Sequence, residues 1–334
     1  MIFGALPLDG ALGAILAHSL PLAGGRLRKG AILDEAALAL LLAEGVTSVV
    51  AARLEPGDVA EDAAAARLAA ALVPDPAGQG LRIGPAATGR VNLNAAGPGV
   101  VAVDAEAVLR LNRIHPAITL ATLAPLTRVT TGTLAGTVKI IAYAVPEAAL
   151  AAACDAARGA LRLHPVQRQT AGLILTEVPG QEAKLTAKGR RAVEARLAAL
   201  GMRLASVAVV AHDGAEIAAA LQALPGEIAL ILTGSATSDL LDTAPQAVRA
   251  AGGTVARFGM PVDPGNLLFL GTQGGRPVIG LPGCARSPAL NGADWVLERL
   301  ACGLAVGDDE IAAMGVGGLL KEIPTRPQLR EPRR

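Results

Sequence analysis

Residues 231–242, ILTGSATSDLLD, pass from an apolar run straight into hydroxyl, glycine and carboxylate groups. Polar residues at the C-terminal end of a buried parallel strand lie in the crevice where open α/β sheets take their ligands. Gly234, Ser235 and Ser238 offer backbone N–H and hydroxyl donors there, and Thr233 adds a further hydroxyl. A helix starting beside Asp242 would contribute the positive end of its dipole, so the segment suits a phosphate or carboxylate. Asp239 and Asp242 act in the opposite sense. Two carboxylates repel an anion unless a divalent cation such as magnesium sits between them, or unless they accept N–H groups of a heterocycle. Those are the candidate catalytic and metal-binding roles of Asp239 and Asp242. A plainer reading stands beside them, with Asp242 as a helix N-cap and Ser238 closing a turn.

Two further segments carry glycine turns at strand ends. VDPGNLLFLG (262–271) holds Pro264, Gly265 and Asn266; VIGLPGCARSP (278–288) holds Pro282, Gly283, Cys284, Arg286 and Ser287 and is expected to open directly into a helix over 287–303. If the strands lie in one sheet, both segments reach the crevice of Thr233 and Asp242.

The order of these motifs resembles the molybdopterin-binding domain shared by molybdopterin molybdotransferases and molybdopterin adenylyltransferases. In that pattern a strand ends in a Gly-Ser loop with an acidic residue, followed by a helix, a strand, a Pro-Gly segment, a hairpin and an LPG loop. Gly234, Ser235 and Ser238 match the first loop, Asp242 its acidic residue, Pro264 and Gly265 the Pro-Gly segment, and Leu281, Pro282 and Gly283 the last loop. The likeness covers residues 170–303, with a weaker match over LPLAGGRLRKGAILDEAALALLLAEGVTSVVAARLEPGD (20–58) near the start. It is similar in particular to a branch with PGCARS signatures, some members of which are joined to a nucleotidyltransferase domain. The resemblance implies binding of molybdopterin or its nucleotide form, with magnesium where the protein acts as a molybdotransferase. It also implies a nucleotidyltransferase or a molybdoenzyme as partner, and allows a non-catalytic carrier and a homo-oligomer. Where the molybdotransferases have lysine after the Pro-Gly pair this chain has Asn266, and their LPGNP is LPGCAR here; Arg286 is the cation able to take an oxyanion in two-point fashion. Cys284 reads either as a thiol able to touch molybdenum or a dithiolene, or as a small packed side chain.

These residues need a sheet to hold them. Strands are expected at 171–178, 205–211, 227–234 and 254–260, helices at 185–201, 213–224 and 242–253, and a hairpin at 266–281 around TQGG. Asp213 and Asp242 are the expected N-caps, and Gly201 closes the first of these helices. The expectation is an α/β fold: a three-layer sandwich on a mostly parallel sheet over residues 166–305, after a mixed α+β region over 1–165 with a β-ribbon at 127–145. Residues 306–334 form a C-terminal extension whose Pro- and Arg-rich tail is expected to be disordered. In the first region, helices are expected at 33–45, 61–72 and 103–114 and a strand at 46–54. Arg90, Asn92, Asn94 and Lys139 read there as solvated loop and ribbon residues or as a second anion site; Lys184, Lys188, Arg190 and Arg191 read as a solvated helix face or as further cations for the ligand.

Composition narrows the class. Aromatic residues are 1% of the chain against 52% hydrophobic, so its cores are aliphatic. Thirty basic and 29 acidic side chains give net charge +1, which supplies no overall field to attract nucleic acid. Cys154, Cys284 and Cys302 are too widely spaced for a zinc site, and their odd number makes no disulfide framework, which fits the cytoplasm. His18, His115, His164 and His212 lack metal-binding spacing. The apolar start carries Asp9 and has no basic residue before Arg26, unlike a signal peptide, and no apolar run reaches the roughly 18 residues that span a membrane.

Overall fold

The computed structural model describes residues 1–180 and 183–320, and the expected disordered tail lies outside these. The chain forms two compact units, one from Met1–Gly97 and Val101–His164, the other from Pro98–Val100 and the residues from Pro165 onward.

The first unit has two cores. One gathers Leu6, Leu16, Leu33, Leu41 and Val49 from strands β1 (Ile2–Pro7), β2 (Ile15–Leu16) and β5 (Ser48–Arg53), helix α1 (Glu35–Ala43) and their loops. The small hairpin of β3 (Leu20–Leu22) and β4 (Gly25–Leu27) stands beside it. The other core lies between helices α2 (Glu61–Leu72), α3 (Ala105–Ile114) and α4 (Glu147–Ala156) and the antiparallel sheet β10–β12–β8–β7. These strands are β7 (Leu81–Ile83), β8 (Arg90–Ala95), β10 (Ile118–Thr122) and β12 (Leu134–Ile140). Strands β9 (Gly99–Val103), β11 (Thr127–Val129) and β14 (Leu161–Pro165) form a further sheet, and β6 (Asp58–Ala60) pairs with β13 (Ala144–Pro146).

Two expectations fail here. The 127–145 ribbon is three strands in three different sheets, because alternation marks a strand and its buried face but not its partner. Arg90, Asn92 and Asn94 are not loop residues; they alternate along β8 with buried Val91, Leu93 and Ala95.

The second unit is α/β with a mixed, largely parallel sheet ordered β16–β15–β17–β20–β19–β18. Its strands are β15 (Thr170–Glu177), β16 (Arg203–Ala211), β17 (Ile228–Leu232), β18 (Thr254–Phe258), β19 (Phe269–Gln273) and β20 (Arg276–Leu281). Strands β16, β15, β17 and β20 run parallel, and the β19–β20 hairpin and β18 complete the sheet antiparallel. β15 and β17 are buried almost throughout, as unbroken apolar runs in parallel strands should be. Alternate side chains feed two cores. Leu173, Leu175, Leu230, Leu232, Ile279 and Leu281 pack with α5 (Ala183–Ala199) and α8 (Gly292–Ala301). Ile174, Ala229, Ile231 and Val278 pack with α6 (Gly214–Ala223) and α7 (Thr243–Ala250). Asp213 and Asp242 cap α6 and α7 as their sequence positions require. A short helix α9 (Asp308–Ala313) follows.

At one cross-strand pair only glycine fits. Phe269 lies directly opposite Gly280, and a Cβ at 280 would fall 1.9 Å from its ring. Gly280→Ala is therefore expected to destabilise the protein by about 2 kcal/mol or more through overpacking, read as a lower urea midpoint. An unchanged midpoint would mean that the ring can swing aside at no cost.

Candidate functional site

The expected helix over 287–303 begins late. Residues Gly283–Arg286 form a single 3-10 turn, an extended stretch follows, and α8 starts only at Gly292, with Asn291 as its cap. Ser287 and Pro288 would suit an N-cap and a first helical position, but the carbonyls of Ser287 and Ala289 accept from Arg196 instead, and Asn291 takes the N-cap role. The N-terminus of α8 is consumed internally. Gly292 donates to the Pro264 carbonyl (2.8 Å), Ala293 to Asn291 Oδ1 (3.0 Å) and Asp294 to the Asn291 carbonyl (2.9 Å). Trp295 consequently sits in the first turn of α8, partly buried against the core shared by α5 and α8.

Cys284 is another correction, because it is exposed rather than packed; Cys154 and Cys302 are buried. Its Sγ lies 3.1 Å from Asn291 Nδ2, which ties the thiol to the capping residue. Burial pushes the Cys302 thiol up to about 11, out of reach of chemistry at neutral pH.

Cys284 belongs to a cavity of about 260 Å³ lined by Leu185, Lys188, Pro264, Gly283, Cys284, Arg286, Ser287 and Ala289. The Pro-Gly and LPG segments meet here, without a lining residue from the 233–242 loop, and Lys188 alone of the basic cluster on α5 joins them. Arg190 instead pairs with Glu194 on the same helix (2.8 Å). Arg286 is half-buried and its Nη2 donates to the Thr233 carbonyl (2.5 Å), which joins this cavity to the end of β17. Among the described residues its Nε is buried with no hydrogen-bond partner. Desolvation lowers the Arg286 pKa, an effect a bound anion would oppose. Asn266 is exposed on the same Pro-Gly segment, where its carbonyl accepts from Met260 (3.0 Å), and it does not line the cavity.

One guanidinium holds the loop in this shape. Arg196 on α5 is only 9% exposed and pairs with Asp294 of α8 at 2.6 Å. It also donates to the carbonyls of Ala285 (2.8 Å), Ser287 (2.8 Å) and Ala289 (3.2 Å). Asp294 in turn accepts from Asn291 N–H (2.7 Å), completing the capping box. Sequence reasoning passed over Arg196, Asp294 and Asn291. A signal was present: Arg196 falls in register with Gly189, Ala192 and Val193, the buried stripe of α5, where an arginine needs a partner.

The 233–242 loop is organised around its own backbone. Gly234 N–H donates to Thr176 Oγ1 (2.8 Å), and that hydroxyl lies 2.9 Å from His212 Nδ1. Asp242 Oδ1 accepts from Thr243 N–H (2.7 Å), and Oδ2 from Ser238 N–H (2.9 Å) and Ser238 Oγ (3.3 Å). These donors, Ser238 N–H foremost, hold the Asp242 carboxyl below its ordinary value. Asp239 Oδ1 closes a turn by accepting from Leu241 N–H (2.7 Å). Among the described residues no group of three or more His, Cys, Asp and Glu could hold a metal ion. Asp239 and Asp242 have no third His, Cys, Asp or Glu beside them among the described residues, a sparse donor set for a resident magnesium. Ser235 is exposed at the tip of the loop and Thr233 is buried beneath it.

No family model matches the chain, and no curated protein matches it. Among solved structures, the crystal structure of the molybdopterin biosynthesis MoeA protein from Pyrococcus horikosii is similar at 15% identity and a TM-score of 0.33, over 90% of this chain and 75% of that one. No helix among the described residues is long and apolar enough to cross a membrane.

Two substitutions test this geometry. Arg196→Met leaves Asp294 buried and unpaired, with an expected cost of about 3 kcal/mol or more in urea unfolding; a loss under about 1 kcal/mol would show that water replaces the guanidinium. Asp242→Asn keeps a competent cap but loses the charge. Because the folded pKa of Asp242 is depressed, the wild-type advantage over Asn should be complete at neutral pH, begin to fade near pH 4 and vanish below the folded value. A difference that persists in acid would assign it to shape alone.

Proposed function

We propose that the second unit binds molybdopterin or its nucleotide form and acts in molybdenum cofactor biosynthesis or handling. The observation that carries this reading is the 260 Å³ cavity, where Lys188 and the half-buried Arg286 line a pocket bounded by the Pro-Gly and LPG segments. A cavity of that size takes the phosphate-bearing end rather than the whole ligand. Its two cations supply the charge-assisted hydrogen bonds that a phosphate or diphosphate accepts. The neighbouring 233–242 loop, with Ser235, Ser238 and Asp239, presents hydroxyl and carboxylate groups suited to the N–H edge of a pterin. In this reading the sheet and the helices on its two faces are a three-layer binding module in a cytoplasmic protein, which exchanges its ligand with a nucleotidyltransferase or a molybdoenzyme.

Binding and delivery are favoured over a magnesium-dependent molybdotransferase by one feature of the loop. Asp239 and Asp242 have no third His, Cys, Asp or Glu beside them among the described residues to complete a metal site. No step of the proposed function therefore passes through magnesium.

Calorimetric titration with free, adenylated and cytidylated molybdopterin tests the reading and identifies the preferred form. Arg286→Ala and Lys188→Ala should each weaken binding by about tenfold, the scale of one charge-assisted hydrogen bond. Each variant should also flatten the dependence on salt. Wild-type affinity and salt dependence in both variants would remove the cavity from ligand binding, and turnover with magnesium and molybdate would restore the transferase reading.

A further inference from the structure

The sheet β10–β12–β8–β7 of the first unit buries one face and leaves the other polar. Val91, Leu93 and Ala95 of β8 and Ala135, Val138 and Ile140 of β12 belong to the core. The intervening residues Arg90, Asn92, Asn94, Thr137 and Lys139 are not buried. Strand register arranges them in rows. Arg90 lies beside Lys139 and Lys139 beside Thr119; Asn92 lies beside Thr137 and Thr137 beside Ala121; Asn94 lies beside Arg82. The four strands thus carry Arg82, Arg90 and Lys139 and contain no Asp or Glu.

Folding alone gives little reason for this arrangement. Like charges directly opposite one another on antiparallel strands destabilise the pair, and Arg90 and Lys139 are such neighbours. Among the described residues the Arg90 guanidinium has no hydrogen bond or ion pair, and Arg82 makes one long hydrogen bond, to the Ala95 carbonyl (3.4 Å). Lys139 donates to the Thr88 carbonyl. Two carboxylates stand at the Lys139 corner. Glu61 lies near enough to Lys139 to feel its charge, and Asp62 accepts from Gly89 N–H (2.6 Å). Beside the Asn92–Thr137–Ala121 row is a hollow of about 180 Å³ lined by Ala121, Thr122, Leu123, Leu134, Ala135, Gly136 and Thr137, room for one apolar side chain. None of the four strands carries an aromatic residue on which a nucleic-acid base could stack.

We propose that this face docks an acidic polypeptide segment of a partner protein, its carboxylates on Arg82, Arg90 and Lys139 and an apolar side chain in the hollow beside Leu134. Carboxylates match the fork of arginine, and the amides of Asn92 and Asn94 can serve peptide N–H and C=O groups together. The net charge of +1 conceals the patch because acidic side chains elsewhere in the chain balance it. Recognition here is independent of the ligand cavity of the second unit.

The full chain would be titrated into labelled poly-L-glutamate, with fluorescence anisotropy as the readout. Binding should weaken as salt rises, and the double variant Arg82→Glu/Arg90→Glu should lose at least about tenfold in affinity at unchanged thermal stability, since both side chains are exposed. Ala121→Lys, which adds a cation to the same face, should tighten binding. Arg110→Glu/Arg113→Glu, the same charge change on exposed positions of α3, should leave affinity as it was. Absence of binding, an equal loss in the α3 control, or tighter binding of single-stranded poly(dT) than of poly-L-glutamate would each overturn the proposal.

Discussion

Arg196 and Asp294 meet at 2.6 Å in a place where each is about nine-tenths buried, and the walls of the cavity around Cys284 and Arg286 depend on that pair. A guanidinium removed from water must find acceptors for its donors, and it finds them in the carbonyls of Ala285, Ser287 and Ala289. The loop that carries Cys284 and Arg286 is thereby fixed to α5 and α8 by polar bonds in a low-dielectric setting, where such bonds are strong. Asp294 extends the same network to Asn291, whose amide reaches Cys284 Sγ. One ion pair thus sets the start of α8, the path of the 3-10 turn and the position of the thiol.

The crevice above this network divides by charge. On one side Arg286 and Lys188 line a small cavity; on the other, both oxygens of Asp242 and Oδ1 of Asp239 accept hydrogen bonds within their own loop. The division removes the conflict posed by carboxylates beside an anion site. A carboxylate that accepts two backbone N–H groups is partly neutralised by them and repels a neighbouring phosphate less than a free one would. Arg286 links the two sides through the Thr233 carbonyl, so an anion drawn to its Nε would act on the end of β17 as well.

The first unit uses its aliphatic composition differently. Helix α2, built largely from alanine, packs against α4 and against the buried face of β8 and β12, and the opposite face carries the residues that are not buried. That face is polar because period-two alternation sends every second residue of β8 and β12 away from the core.

The sequence by itself determined the elements of the second unit. Unbroken apolar runs at 171–175 and 228–232 mark strands buried on both faces, and Asp213, Asp242 and Gly201 mark helix ends, because these signals are local and act within one turn or one strand. It also brought Pro264, Gly283, Cys284, Arg286 and Ser287 under suspicion together, and they do line one cavity. Tertiary structure decided the rest. Where α8 begins, which sheet receives each strand of 127–145, whether Cys284 is exposed and what holds the loop all depend on partners far along the chain. Arg196 and Asp294 are separated by 98 residues, and the acceptors of Arg196 in the loop by about as many. No local pattern encodes which carbonyls a buried guanidinium will meet, since that is settled only when α5 and α8 pack on the same face of the sheet.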